Sequence, residues 1–114
     1  MRSIFRKRNP DVEALFANAG RPEKVMCIPF DYAKKTHTAM VCNGLGHKLR
    51  GAFNVENNKH GIDFLFGVVS GLCRKHKISQ ERVFFGGEDC GSYAFNFIHG
   101  LVSRGFLVVG INTK

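Results

Sequence analysis

VMCIPFDYAKKTHTAMVCNGLGHKLRGAFNV, residues 25–55, decides the fold. Val25, Met26, Cys27, Ile28 and Phe30 form an almost continuous apolar run that ends at Asp31. Such a run predicts a strand buried on both faces, and therefore central in a sheet. Pro29 brings no amide hydrogen, so it marks a bend or a limit of ladder pairing. Tyr32–Lys35 reads as a polar turn. Thr36–Cys42 alternates, with His37, Ala39 and Val41 opposite Thr38, Met40 and Cys42. Asn43-Gly44-Leu45-Gly46 is a strong hairpin signal. His47–Val55 alternates again, so the stretch predicts three antiparallel strands.

Downstream the period changes. Asn57-Asn58 offers an N-cap for a helix over 59–76. Ile62, Leu65, Phe66, Val69, Leu72 and Cys73 fall on one side of it. Arg74, Lys75, His76 and Lys77 close it, where cations complement the helix dipole. A fourth strand is expected over 82–86 and a turn over 87–92, which puts Glu88 just past the strand. A second helix follows over 93–104, with Ala94, Phe97, Ile98 and Leu101 inward and Gly105 as its stop. Phe106–Ile111 reads as a fifth strand. The order β-β-β-α-β-α-β predicts an α/β mixed sheet, antiparallel first and parallel later. Right-handed crossovers place the fourth strand beside the first and give the order 3-2-1-4-5.

Upstream, residues 1–23 read as a basic extension to a domain over 24–114. Arg2, Arg6, Lys7 and Arg8 form a basic arm. A short helix then opens at Asn9-Pro10, an N-cap with Pro at the first helical position, and stops at Gly20.

The 17 Lys and Arg outnumber the 9 Asp and Glu, for a formal charge of +8. That balance favours a polyanionic partner, nucleic acid first among them. With 11 Phe and no Trp, the core should be aromatic-rich. Cys27, Cys42, Cys73 and Cys90 lack Cys-x-x-Cys spacing and read as free thiols of a reducing compartment. No apolar segment follows Met1–Arg8, and no run approaches a membrane span. A cytoplasmic, nucleoid-associated protein without a membrane partner is the expectation.

The predicted topology makes two carboxylates neighbours. Asp31 ends the first strand and Glu88 the region of the fourth, and sites in open α/β sheets form at the carboxyl ends of strands. Two adjacent carboxylates repel unless a cation lies between them. Hard oxygen ligands with retained water suit Mg²⁺, or Mn²⁺ in its place. The same residues also fit a plain structural role: Asp31 opening a turn, and Glu88 or Asp89 capping the next helix. Topology alone leaves both open. Gly86, Gly87 and Gly91 bracket Glu88 and could admit a phosphate backbone, or simply form a strand-to-helix turn. Lys34 and Lys35 could steer phosphate, as could Arg6, Lys7 and Arg8; a solvated lysine pair fits equally well. The five histidines have no metal-ligand spacing, and Tyr93 reads as core.

Four blocks resemble the DEDD-type transposases of bacterial insertion sequences. Ile28-Pro29-Phe30-Asp31-Tyr32-Ala33-Lys34-Lys35-Thr36-His37 is similar to their opening I-D-x-(S/A)-K-x-x-H segment. Phe53-Asn54-Val55 with Asn57 and Gly61 is similar to F-x-V-x-N-x-x-x-G. Glu88-Asp89-Cys90-Gly91-Ser92-Tyr93 is similar to E-x-(T/C)-G-x-Y. Gly105-Phe106-Leu107-Val108-Val109-Gly110-Ile111-Asn112 is similar to G-x-x-V-x-x-V-N. The resemblance implies an RNase H-like, RuvC-like domain related to Piv/MooV-type DNA invertases. It implies a recombinase that acts on DNA under a structured guide RNA, with Asp31 and Glu88 as the first two acids of a four-acid Mg²⁺ or Mn²⁺ site. The family's last two aspartates and its serine-bearing domain lie beyond the segment matched, so this chain reads as an N-terminal fragment, inactive or nearly so alone. Pro29-Phe30 replaces the family's small residue before the acid.

Two other readings compete. One is a non-catalytic basic module that binds nucleic acid. The other, ranked last, is an actin-like ATPase half-domain; it wants a glycine-rich phosphate turn that Asp31–Thr36 does not provide. The apolar fifth strand predicts an edge that a second copy, or the family's C-terminal half, would cover.

Overall fold

The computed structural model describes residues 9–88 and 94–111, Ile111 by its backbone only. The expectations for Arg6, Lys7, Arg8, Asp89, Cys90, Gly91, Tyr93 and Asn112 lie outside the described residues.

Five strands, β1 (Met26–Asp31), β2 (Thr36–Asn43), β3 (Lys48–Glu56), β4 (Val83–Glu88) and β5 (Leu107–Ile111), form one sheet in the order β3-β2-β1-β4-β5. β2 lies antiparallel to β1 and to β3, whereas β4 runs parallel to β1 and to β5. This is the mixed sheet expected, in the arrangement of an RNase H-like fold. The apolar run of β1 has its reason here, because β1 is paired on both edges and covered on both faces.

Three helices do the covering: α1 (Pro10–Ala19), α2 (Lys59–His76) and α3 (Phe95–Ser103). Side chains alternate between the faces of a strand. Met26, Ile28 and Phe30 therefore join Leu65, Val69, Phe97 and Leu101 of α2 and α3. Val25 and Cys27 join Val12 and Leu15 of α1, with Phe84 and Val109, on the other face. α1 is thus packed on the sheet by its own apolar side. Asn9 caps it, its side-chain oxygen accepting from the N–H groups of Asp11 and Val12 at 2.9 and 3.1 Å.

α2 spans the residues expected. Its cap is Asn58, whose side chain accepts from Gly61 N–H at 2.8 Å. At its far end Lys77 takes a left-handed conformation, φ 56°, and Lys24 Nζ donates to the carbonyls of His76 and Lys77, both at 3.3 Å.

Four local readings are corrected. β4 continues through Gly87 to Glu88, because β5 and β1 flank it and extend the ladder past the predicted limit. Phe66 is not in the core line of α2: one residue past Leu65, it is turned about 100° away, is 39% exposed, and rests edge-on against Phe106. Tyr32, read as part of a polar turn, is buried. α3 is shorter than the helix expected. Cys27, Cys42 and Cys73 are buried free thiols. Cys27 faces Cys42 across β1 and β2, and the thiol hydrogen bond between them together with burial pushes Cys27 up. Among the described residues no helix is long and apolar enough to cross a membrane.

Two glycines of α2 should answer substitution in opposite ways. A Cβ on Gly61 would sit 1.8 Å from the Glu56 carbonyl oxygen, so Gly61→Ala should cost about 3 kcal/mol in urea unfolding. A Cβ on Gly67 would meet nothing within 4 Å, so Gly67→Ala should gain about 1 kcal/mol of helix propensity.

Candidate carboxylate site at the strand ends

β1 and β4 pair from Met26↔Val83 to Phe30↔Gly87 without a register shift. Asp31 and Glu88 are the next residue on each strand, and each is the last of its strand. Parallel neighbours lie about 4.8 Å apart, so the two backbones deliver the acids side by side. Strand alternation also puts both on one face. Phe30 and Phe85 face α2 and α3, while Cys27 and Phe84 face α1; Asp31 and Glu88 follow the second set. Both are exposed. The position is a topological switch point, since the chain builds outward to β2 and β3 on one side and to β5 on the other.

Two exposed carboxylates at matching register offer hard oxygen donors only. That donor set fits a divalent cation that keeps much of its water, such as Mg²⁺ or Mn²⁺, and does not fit a soft metal. Among the described residues no group of three or more His, Cys, Asp or Glu converges, so any such ion would depend on the pair and on groups outside them.

The turn that follows Asp31 is held by three hydrogen bonds from two residues. His37 is fully buried, and its Nδ1 accepts the N–H of Ala33 at 3.0 Å. The proton of its neutral ring therefore sits on Nε2. The ring is wedged among Phe30, Tyr32 and Phe97, with centroids 5.8, 5.3 and 4.5 Å away. Asn57 holds the outer half of the turn: its side chain donates to the carbonyl of Lys34 and its backbone N–H to that of Lys35, both at 2.9 Å. Lys34 and Lys35 are exposed on this anchored backbone. Neither forms an ion pair among the described residues.

Gly87 has a different task from the one expected of it. A Cβ there would lie 2.3 Å from Cε2 of Tyr32. The glycine makes room for that ring on the face opposite the carboxylates, not for a phosphate. Asn57, expected to share the helix cap, instead ties down the lysine turn. Neither task has a local signal, because each partner is remote in sequence. His37 shares the face of β2 that carries Ala39 and Val41, and the structure makes that face the buried one.

No family model matches the chain, and no curated protein matches it. Solved structures do. The chain is similar to a Bacteroides thetaiotaomicron protein with an actin-like ATPase fold and unknown function, with TM-score 0.52 and 14% identity over 86% of this chain and 37% of that one. It is also similar to the Argonaute of Marinitoga piezophila in complex with 5′ OH guide RNA, with TM-score 0.49 and 22% identity over 80% of this chain and 16% of that one. The chain thus spans well under half the length of each. The first likeness is one of fold alone.

His37 carries a pH prediction. Burial holds its imidazole below the ordinary value, opposed in smaller part by the Asn57 side chain. Its ordinary value is about 6.5. The unfolded chain then binds more protons than the folded one in the interval below it, so stability falls as pH drops through about 6.5. Unfolding free energies from about pH 7.5 to about pH 5 should show this loss. His37→Leu should show a flatter profile from a lower starting stability; an equally steep profile would clear His37 of the effect.

Proposed function

We propose that this chain carries the first two acids of a metal-dependent nucleic-acid strand-cleavage and strand-transfer site, in the RuvC-like part of a DEDD-type transposase. The observation that carries the reading is the unbroken parallel register that delivers Asp31 and Glu88 to one face at one sheet end. The motif blocks around Asp31, Asn57, Gly61 and Glu88 support it, and two of their residues have structural work that fits the pattern. Asn57 fixes the turn after the first acid, and Gly61 allows α2 to start tight against Glu56.

In this reading Asp31 and Glu88 would hold Mg²⁺ or Mn²⁺, which when bound neutralises phosphodiester charge and makes water a better nucleophile. The chain's own residues set the stage for that chemistry. Lys34 and Lys35, on a turn fixed by Asn57 and His37, would bind the phosphates flanking the reacting one. DNA is the substrate proposed, and a structured guide RNA a partner. The remaining acids of a four-acid site would come from outside these residues, so the 114-residue chain should bind metal weakly and cleave poorly. A second copy or a further domain of the same protein would complete it.

An ATP-binding reading draws on the actin-like fold but meets an obstacle in the β1–β2 turn. Asp31–Thr36 contains no glycine, and the Ala33 N–H that could face a phosphate is given to His37.

Titration with Mn²⁺, followed by its electron paramagnetic resonance signal, tests the pair. Asp31→Asn and Glu88→Gln should each weaken binding by roughly tenfold or more, and the double variant should add little. Curves that coincide with the unsubstituted chain would sink the shared site. Tight, saturable ATP binding that survives both substitutions would favour the ATP-binding alternative.

A further inference from the structure

A second surface lies away from the carboxylates, on the flank between the edge strand β3 and α2. Phe53 of β3 is half-buried against the core, and its ring meets Phe64 of α2 edge-on with centroids 6.2 Å apart. The Arg50 guanidinium lies over the Phe53 ring, 4.4 Å from its centroid. Phe53 seals the rim of the core. Phe64 does not: it is 46% exposed, and it is not among the side chains that build either apolar cluster. A large ring left nearly half in water on a helix whose inner side is already filled calls for a partner.

The charges around the ring say which kind. Lys75 lies about three turns beyond Phe64 and so on the same side of α2. Arg50 and Lys75 are exposed, and neither forms an ion pair among the described residues. Helix capping does not account for Lys75, because Lys24 already bonds the last carbonyls of α2. Aromatic faces bordered by unpaired cations are what an unpaired nucleic-acid strand uses: bases stack on the rings while cations follow the phosphates. A lipid surface would want a broader apolar face than one exposed ring and one half-buried ring.

We propose that Phe64, backed by Phe53 and framed by Arg50 and Lys75, forms a second contact for single-stranded nucleic acid, stacking an unpaired base at a distance from Asp31 and Glu88. The inference extends the nucleic-acid reading above but needs neither the acids nor a metal.

Fluorescence anisotropy with a labelled oligothymidylate in EDTA tests it on the full chain. Phe64→Ala should weaken binding by about tenfold without changing the salt slope, and Phe64→Trp should restore it. Arg50→Gln with Lys75→Gln should lower the slope of log affinity against log salt by about 1.4. Equal affinity of Phe64→Ala and the unsubstituted chain would overturn the proposal, as would no binding in EDTA at all; the Mn²⁺ titration of the carboxylates would be untouched by either result. Tighter binding to vesicles of acidic phospholipid, lost with the same substitutions, would assign the surface to a membrane instead and overturn it too.

Discussion

The parallel ladder between β1 and β4 is what the other parts of this molecule depend on. Parallel strands cannot be joined by a tight turn, so the chain must cross over between them. The hairpin β2–β3 and then α2 make that connection, and the apolar side of α2 packs into the main core. β1 and β4 lie inside the sheet and are covered on both faces, so both must be apolar on both faces. The same ladder sets the register that makes Asp31 and Glu88 neighbours. Core and candidate site are thus two consequences of one pairing.

The end of that ladder is secured by interactions that look unrelated in sequence. Gly87 leaves space for the Tyr32 ring. Tyr32 packs against Phe30 and His37. His37 holds the amide of Ala33, and Asn57 holds the carbonyls of Lys34 and Lys35 from just before α2. A ring, an imidazole and an amide side chain therefore limit the freedom of the short turn after Asp31. Positioning of this kind matters for any chemistry there, because a charged group on a loose turn loses entropy each time it engages a ligand.

Charge is distributed to suit a polyanion at more than one place. Lys34 and Lys35 stand on the turn after Asp31, while Arg50 and Lys75 stand along the β3–α2 flank. The formal charge of +8 is therefore not confined to one patch. Asp63, by contrast, is neutralised locally by Lys59 and Arg104, and takes no part in either surface.

Much of this was legible in the chain. Periodicity alone determined the five strands, the bounds of α2 and, through crossover handedness, the strand order. These follow from local physics: side-chain alternation, capping by Asn9 and Asn58, and the turn at Asn43–Gly46 act over a few residues. It also determined that an acid would end β1 and another stand near the end of β4. What only the tertiary structure decided was anything that needs a partner far along the chain. β4 reaches Glu88 because β1 and β5 continue its ladder. α1 belongs to the sheet because Val12 and Leu15 find Val25, Phe84 and Val109. Phe66 is left at the rim because the core line of α2 passes through Leu65 and Val69. Gly87 and Asn57 acquire their tasks from Tyr32 and from Lys34 and Lys35. A residue's neighbours in sequence fix its conformation and its face; only the packed sheet fixes what that face meets.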